Sequence, residues 1–284
     1  MAKRRGVLYI TGALLIIGPP AFWLVSTIPV TPSTSSLTPV TLAADAAAPS
    51  GSALVSLAQR DPMALVRLGI ERYDKTIRQY RCVLTKQERL GDELTEVQEI
   101  ELRYRESPRS VYMIWKANAD QARRALYLPE DSAYTSQNGE ELARVEPAGA
   151  IARLFVKDIF MPIHGPDARK ASRRAIDEAG FRATFRLLEA YNAVAAERGV
   201  LDLRYGGIGE IGGRPTYILL RDLPYTGPTG PYPDARMVLH LDQEWLLPVA
   251  VYSYADHAQK TLLGSYVFTQ IEINPSFAPD AFAF

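Results

Sequence analysis

The sequence is poor in the residues on which most enzymes and metal proteins depend. Cys82 is the single cysteine in 284 residues, so neither an intrachain disulfide nor a cysteine zinc cluster is possible, and its setting predicts a buried thiol on a strand. None of the histidines, His164, His240 and His257, has a second histidine four residues away, and no serine stands in a G-x-S-x-G turn. The sequence therefore predicts a protein that is not an enzyme and that needs no cofactor or metal.

The sequence also lacks an excess of either charge. Lys plus Arg and Asp plus Glu both total 32, and removing Lys3, Arg4 and Arg5 before the first apolar run leaves 29 against 32. A near-neutral, slightly acidic chain has no general attraction for a phosphate backbone. Nucleic acid is therefore not expected as a partner.

A strongly apolar run without any charge lies near the N-terminus, from Gly6 to Val25. Its 20 residues are enough to cross a hydrocarbon core of about 30 Å as a helix, and the basic cluster before it should stay in the cytoplasm. We therefore predict a signal anchor over residues 1–25. The alternative is a cleaved signal peptide with an A-x-A site at Ala44–Ala46, and either choice exports the rest of the chain.

Two further regions follow the apolar run. Residues 26–58 are rich in Ser, Thr, Pro and Ala and predict an extended linker, and residues 59–284 form the folded domain. In that domain a helix is predicted from Asp61 or Pro62 to about Arg78, then strands, then a helical region over 146–198, then a second set of strands. Short turns between consecutive strands predict an α+β fold with a mainly antiparallel sheet.

Several predicted strands are apolar on both faces, most clearly SVYMIW, residues 110–115. Val111, Met113 and Trp115 would share one face, and Tyr112 and Ile114 the other. Either helices cover one face of the sheet and a partner or ligand the other, or the sheet curls around an apolar hollow. Large side chains of such strands are the candidate ligand contacts: Tyr112, Met113, Trp115, Tyr217, Tyr252 and Tyr266.

Three other features have competing interpretations. The basic run RKASRR is either a solvated helix surface or a contact for lipid headgroups through Arg169, Lys170, Arg173 and Arg174. The glycines of GGIGEIGG, residues 206–213, resemble a dinucleotide motif, but a strand pattern follows them, so a β-hairpin turn is predicted. On the strand that contains it, His240 is predicted to lie on the solvated face.

Several segments occur in the order found in a known family: YRCVLTKQERLGDEL, PRSVYMIWK, SRRAIDEAGF, LLPVAVYSY and INPSFAPDAF. They resemble a family of exported bacterial proteins catalogued as domain of unknown function fifteen seventy-one, over Met63 to Phe284. That family is similar in layout to lipoprotein carriers of the LolA and LolB type. The resemblance implies a curved, incomplete antiparallel barrel with helices on its concave side and an apolar cavity for acyl chains.

These observations lead to a leading hypothesis and two others. The first is a non-catalytic lipid- or lipoprotein-binding carrier of the bacterial envelope, held at the inner membrane with its main domain in the periplasm and binding a lipid or acyl chain. The second is a structural or sensor module that docks an envelope protein through its sheet. The third is an envelope hydrolase, which would need His240 or His257 beside a carboxylate.

Overall fold

The computed structural model of this protein describes residues 53–149 and 157–284. Among these residues, no helix is long and apolar enough to cross a membrane. The predicted anchor over residues 1–25, the A-x-A site and most of the predicted linker lie outside the described residues.

Four α-helices are present in the described part of the chain: α1 (Ala53–Arg60), α2 (Pro62–Thr76), α3 (Pro166–Ala171) and α4 (Phe181–Glu197). The first predicted helix is confirmed as α2. Its cap, Asp61, accepts a hydrogen bond from the amide of Ala64 at 2.9 Å, and Pro62 occupies the first turn, where a missing N–H costs nothing.

Two boundaries predicted from the sequence are wrong. The linker was expected to reach residue 58, but α1 begins at Ala53 because Val55 and Ala58 can be buried against the domain. The helical region was expected to begin at 146, yet residues 146–147 end one strand and 159–162 form another. Strand pairing across the sheet outweighs the local helical spacing there.

The described residues also contain twelve strands: β1 (Gln79–Leu90), β2 (Glu93–Leu94), β3 (Gln98–Arg105), β4 (Ser110–Ala117), β5 (Ala122–Tyr127), β6 (Leu142–Pro147), β7 (Ile159–Pro162), β8 (Asp202–Ile211), β9 (Arg214–Asp222), β10 (Arg236–Asp242), β11 (Pro248–Tyr254) and β12 (Leu262–Ile273). All neighbours pair antiparallel, as predicted, in the order β7-β6-β5-β4-β3-β1-β12-β11-β10-β9-β8, with β2 paired to β1. The edge strands β7 and β8 are not paired with each other, so the sheet is not closed.

The glycine-rich stretch at 206–213 is part of a β-hairpin, as predicted, and only its last two glycines turn the chain. Gly212 and Gly213 have φ of +56° and +78° between β8 and β9. Gly206 and Gly209 lie inside β8, where a Cβ would come within about 3 Å of Leu220 or Ile218. These two glycines therefore leave room for large side chains on the neighbouring strand.

The centre of the core is an aromatic cluster where α4 meets the sheet. The rings of Tyr80 and Tyr104 stack at 5.0 Å, and Phe181 lies 4.6 Å from Tyr80 and 5.0 Å from Phe268. The Tyr80 hydroxyl accepts a hydrogen bond from the amide of Phe181 at 3.1 Å. This contact fixes the first residue of α4 against β1 and so positions the helix over the sheet.

Candidate ligand cavity

A cavity of about 490 Å³ lies between the sheet and the helices α3 and α4. Ten strands, from β7 through the sheet order to β9, contribute residues to its wall, and the helices cover it with side chains such as Ala168, Leu187 and Tyr191. Ten flat strands would span about 43 Å at about 4.8 Å per step. One cavity can reach all of them only if the sheet is strongly curved, with the helices on its concave side.

The wall of the cavity is mainly apolar. From β4 to β7 it is formed by Met113, Trp115, Ala125, Val145 and Met161. Across the sheet, Met237 and Leu239 of β10 and Val251 of β11 continue the apolar surface. A volume of this size and lining is typical of sites that enclose small apolar ligands.

The strand SVYMIW is covered on both sides. Met113 and Trp115 face the cavity, whereas Tyr112 packs with Leu126 and Tyr134 on the opposite, convex face. There the C-terminal residue Phe284 lies 6.3 Å from the Tyr112 ring. The apolar character of both faces therefore reflects a cavity on one side and the C-terminal segment on the other.

The structure brings together three of the six predicted ligand contacts: Met113, Trp115 and Tyr266 line the cavity. The other three lie elsewhere. Tyr112 is on the convex face, and Tyr252 joins a convex cluster with Val238. Tyr217 is buried in the main core and does not reach the cavity wall.

Two neighbouring rows of residues cross β3, β1 and β12 beneath the cavity, one polar and one apolar. Lys86 pairs in register with Gln98 on one side and Tyr266 on the other, which forms the polar row. Leu84 lies two residues before Lys86 on β1. It pairs with Ile100 of β3 and Phe268 of β12, and these three residues form an apolar row. Because side chains alternate along a strand, both rows point to the same, concave face.

The polar row is held by the buried carboxylate of Glu88. Its Oε2 lies 3.0 Å from Lys86 Nζ and accepts a hydrogen bond from Ser172 at 2.9 Å, and its Oε1 accepts one from Tyr266 at 2.6 Å. Burial alone would raise the pKa of Glu88, but the Lys86 charge and the donated hydrogen bonds hold it below its ordinary value. Glu88 is therefore an anion with every neighbour arranged to stabilise it.

A second buried ion pair lies where β9 reaches the wall. Arg221 donates to both oxygens of Asp234 at 3.0 Å and to the Asn192 side chain at 3.0 Å. Both partners are about 2% exposed. The paired geometry uses most of the donors of Arg221 within the protein.

The predicted headgroup cluster is divided by the structure. Arg169 and Lys170 end α3 on the surface, where Arg169 donates to the carbonyl of His164 and Lys170 is 80% exposed. Arg173 lies in the following loop, with its amide 3.2 Å from Glu88, and does not reach the main cavity wall. Arg174 alone of the four lines the cavity.

His240 is not on a solvated face, as was predicted, but is 1% exposed. The convex side of β9 to β11 is apolar; Ile218 pairs with His240 across the strands, and the Tyr252 ring lies edge-on at 5.9 Å. Its Nδ1 lies 2.9 Å from the Thr216 hydroxyl rather than beside a carboxylate. Burial lowers the pKa of His240 to about 4.

We expect His240 to make the protein sensitive to acid below neutral pH. The folded state resists protonation of the ring, so its stabilising contribution is complete above pH of about 6.5 and is lost as the pH falls toward 4. Between pH 7.5 and 5, urea unfolding of the wild type should lose about 2 kcal/mol more than that of His240→Phe. Parallel pH profiles for the two proteins would show that the ring ionises normally in the fold.

Sequence patterns pointed to some of these residues and missed others. Lys86 and Glu88 follow the buried Cys82 and Leu84 at every second position of β1, so they lie on the same face of the strand. Charged residues at these inward positions are the sequence signal that could have identified them. In the same way, Arg221 lies two residues after the buried Leu219 and so on the same face of β9. Asp234 lies in a loop, and no periodic signal marks it.

The sequence of residues 77–284 matches the model of a protein family described as "Protein of unknown function (DUF1571)". The match covers more than half of the chain. The chain belongs to the DUF1571 family. No curated protein matches this sequence.

Solved structures with similar architecture are distant in sequence. MucB is 16% identical over 78% of this chain and 63% of its own, with a TM-score of 0.45, so this chain spans less than two thirds of MucB. The Mycobacterium tuberculosis lipoprotein LppX is 12% identical over 76% and 98%, with a TM-score of 0.39. A LolA superfamily protein from Nitrosomonas europaea is 8% identical over 77% and 97%, with a TM-score of 0.33. All three TM-scores are below 0.5, so these proteins do not indicate the function of this chain.

Proposed function

We propose that this DUF1571 protein is a non-catalytic carrier or receptor of the bacterial envelope that buries the acyl chain of a lipid or lipoprotein. The observation that supports it is the cavity of about 490 Å³ under α3 and α4, with its apolar wall. Each buried CH₂ contributes about 0.8 kcal/mol, so a chain of modest length would bind without polar contacts. The proposal includes export by the apolar N-terminal run, with the domain in the periplasm and the run in the inner membrane.

The structure favours this function over the two others. A module that only docks a partner needs a solid core, whereas here the concave face of the sheet encloses space. A hydrolase would need a base positioned at the cavity, but His240 faces Thr216 in an apolar cluster and His257 lies in an exposed turn. His164 lies 3.3 Å from Asp177, but it is 56% exposed and does not line the cavity. Apolar burial is the activity that this arrangement supports best.

Filling the cavity should remove ligand uptake without unfolding the protein. Ala125 of β5 lines the cavity, so Ala125→Phe places a ring in the space that the acyl chain would take. With the full chain in phospholipid nanodiscs, photo-crosslinking of a diazirine-labelled fatty acid should fall at least about tenfold, as expected for the loss of two or more buried CH₂ groups.

The matched control is Ala190→Phe, which adds the same ring on the exposed face of α4. Its cross-linking should equal that of the wild type, and circular dichroism should show both variants folded. Undiminished cross-linking of folded Ala125→Phe would mean that the fatty acid binds elsewhere.

A further inference from the structure

Resting on the function proposed above, we propose that the cavity selects anionic amphiphiles, and that Arg174 binds the carboxylate or phosphate at the end of the acyl chain. The class of ligand is set by the charged groups of the cavity wall, some of which are already paired while others retain free donors.

Among the residues that the structure describes, three basic side chains line the cavity: Lys86, Arg174 and Arg221. Lys86 is held by Glu88 at 3.0 Å, and Arg221 by both oxygens of Asp234. Both are therefore neutralised within the protein. Arg174 differs, because the ion pair that the described residues give it is a contact of 4.0 Å to Glu178, at the limit for such a pair.

The acidic groups of the wall do not compete for a ligand in the same way. Of the acids that line the cavity, Asp234 is held by Arg221, and Glu178 accepts a hydrogen bond from the amide of Ala175 at 3.2 Å. Glu88, which does not line the cavity, is held by Lys86. The remaining acids, Asp120 and Asp167, are exposed to solvent. Inside the cavity, donors are thus in excess of acceptors around Arg174.

The position of Arg174 suits the end of an amphiphile. Ser172, two residues before it, bonds to Lys86 at 3.1 Å, so the loop that holds Arg174 is tied to the polar row. The apolar row lies beyond that row along β1, followed by Met113, which is in register with Leu102. A ligand with its headgroup at Arg174 could therefore extend its chain over apolar surface.

The guanidinium is also held in place for an incoming oxyanion. It lies 6.0 Å from the centre of the Tyr191 ring, a cation–π contact from α4. Its planar fork matches the two oxygens of a carboxylate or phosphate, and 26% of the side chain remains accessible. The N-terminus of α4, at Gly180, lines the same cavity and adds partial positive charge.

The test compares three ligands that share one chain: dodecanoate, dodecyl phosphate and dodecanol, each with a diazirine in the chain. Cross-linking to the full chain in phosphatidylcholine nanodiscs at pH 8 is measured for the wild type and Arg174→Gln. Taking the ratio of variant to wild type for each ligand cancels its partitioning into lipid. Arg186→Gln, an exposed arginine of α4 that does not line the cavity, is the control.

Arg174→Gln should lower cross-linking of the anionic ligand about ten- to a hundredfold, the range for losing a charge-assisted bidentate contact, and change that of dodecanol less than about twofold. Loss for dodecanoate alone assigns a fatty-acid carboxylate, and loss for dodecyl phosphate alone assigns a phosphate headgroup. Cross-linking of the anionic ligand to Arg174→Lys should fall between that of the wild type and that of Arg174→Gln, because lysine keeps the charge and loses the planar fork.

Two results would overturn the inference in distinguishable ways. Equal ratios for the acid, the phosphate and the alcohol would show that Arg174 does not recognise charge, and the acyl carrier would stand without it. No cross-linking of any ligand to the wild type would overturn the carrier function together with this inference.

Discussion

Glu88→Ala should lower the free energy of unfolding by about 3–5 kcal/mol, the largest effect that we expect from a single substitution. The change removes the carboxylate that holds Lys86, whose side chain is 10% exposed, and leaves the ammonium buried with a hydroxyl as its neighbour. It also removes the acceptor of the Tyr266 and Ser172 hydroxyls. Urea unfolding of the variant and wild type at pH 7 measures the difference.

Glu272→Ala is the matched control for this prediction. Glu272 pairs with Arg81 across β1 and β12, but both side chains are about half exposed, so the loss should stay below about 1 kcal/mol. Because the folded state lowers the pKa of Glu88, its contribution is present above the ordinary carboxyl pKa and is lost as the pH falls through the folded value. A loss for Glu88→Ala no larger than that for Glu272→Ala would contradict the account of the polar row.

Gly180→Ala should lower the free energy of unfolding by about 3 kcal/mol. Gly180 has φ of 92° and ψ of 178°, a conformation that costs other residues about 1–3 kcal/mol. A Cβ there would also collide with the Tyr80 hydroxyl, which accepts the first amide hydrogen bond of α4. The substitution therefore strains the backbone and displaces the helix from the aromatic cluster.

Two variants separate these causes. Gly139→Ala, at φ of +80° with open space around it, carries a backbone cost without a collision and should lose about 1 kcal/mol. Tyr80→Phe combined with Gly180→Ala should lose less than the sum of the two single changes, because the hydroxyl is gone. Strict additivity in that cycle would mean that the collision is relieved elsewhere at no cost.

The sequence predicted the parts of the fold that depend on local chemistry. Asp61 and Pro62 mark the start of α2 directly, and the short turns between consecutive strands predicted the antiparallel sheet. Residues 146–147 and 159–162 were misread because helical spacing is a local signal, whereas β6 is fixed by pairing with β5 and β7. Resemblance to a known family supplied the curved sheet, which no local pattern specifies.

The site was harder to predict, for a physical reason. Alternation separates Trp115 from Tyr112 but does not say which face of the sheet is concave, because the C-terminal segment supplies apolar cover on the other side. The run from Arg169 to Arg174 has one composition, yet the end of α3 at Ala171 leaves its first half on the surface and brings Arg174 to the cavity. Which residues of this run reach the cavity therefore depends on where α3 ends, and the sequence alone does not determine that position.

The central claim is that the cavity holds an acyl chain, and the most direct test is to identify what the protein carries when it is produced in a bacterium. The full chain would carry a protease site before Ala53, and the part released by the protease, prepared without detergent, would be analysed by native mass spectrometry. We predict an acyl-chain lipid bound at about one per protein, and its loss in Ala125→Phe. Repeated recovery of the protein with no lipid, and with no uptake of added fatty acid, would contradict the account.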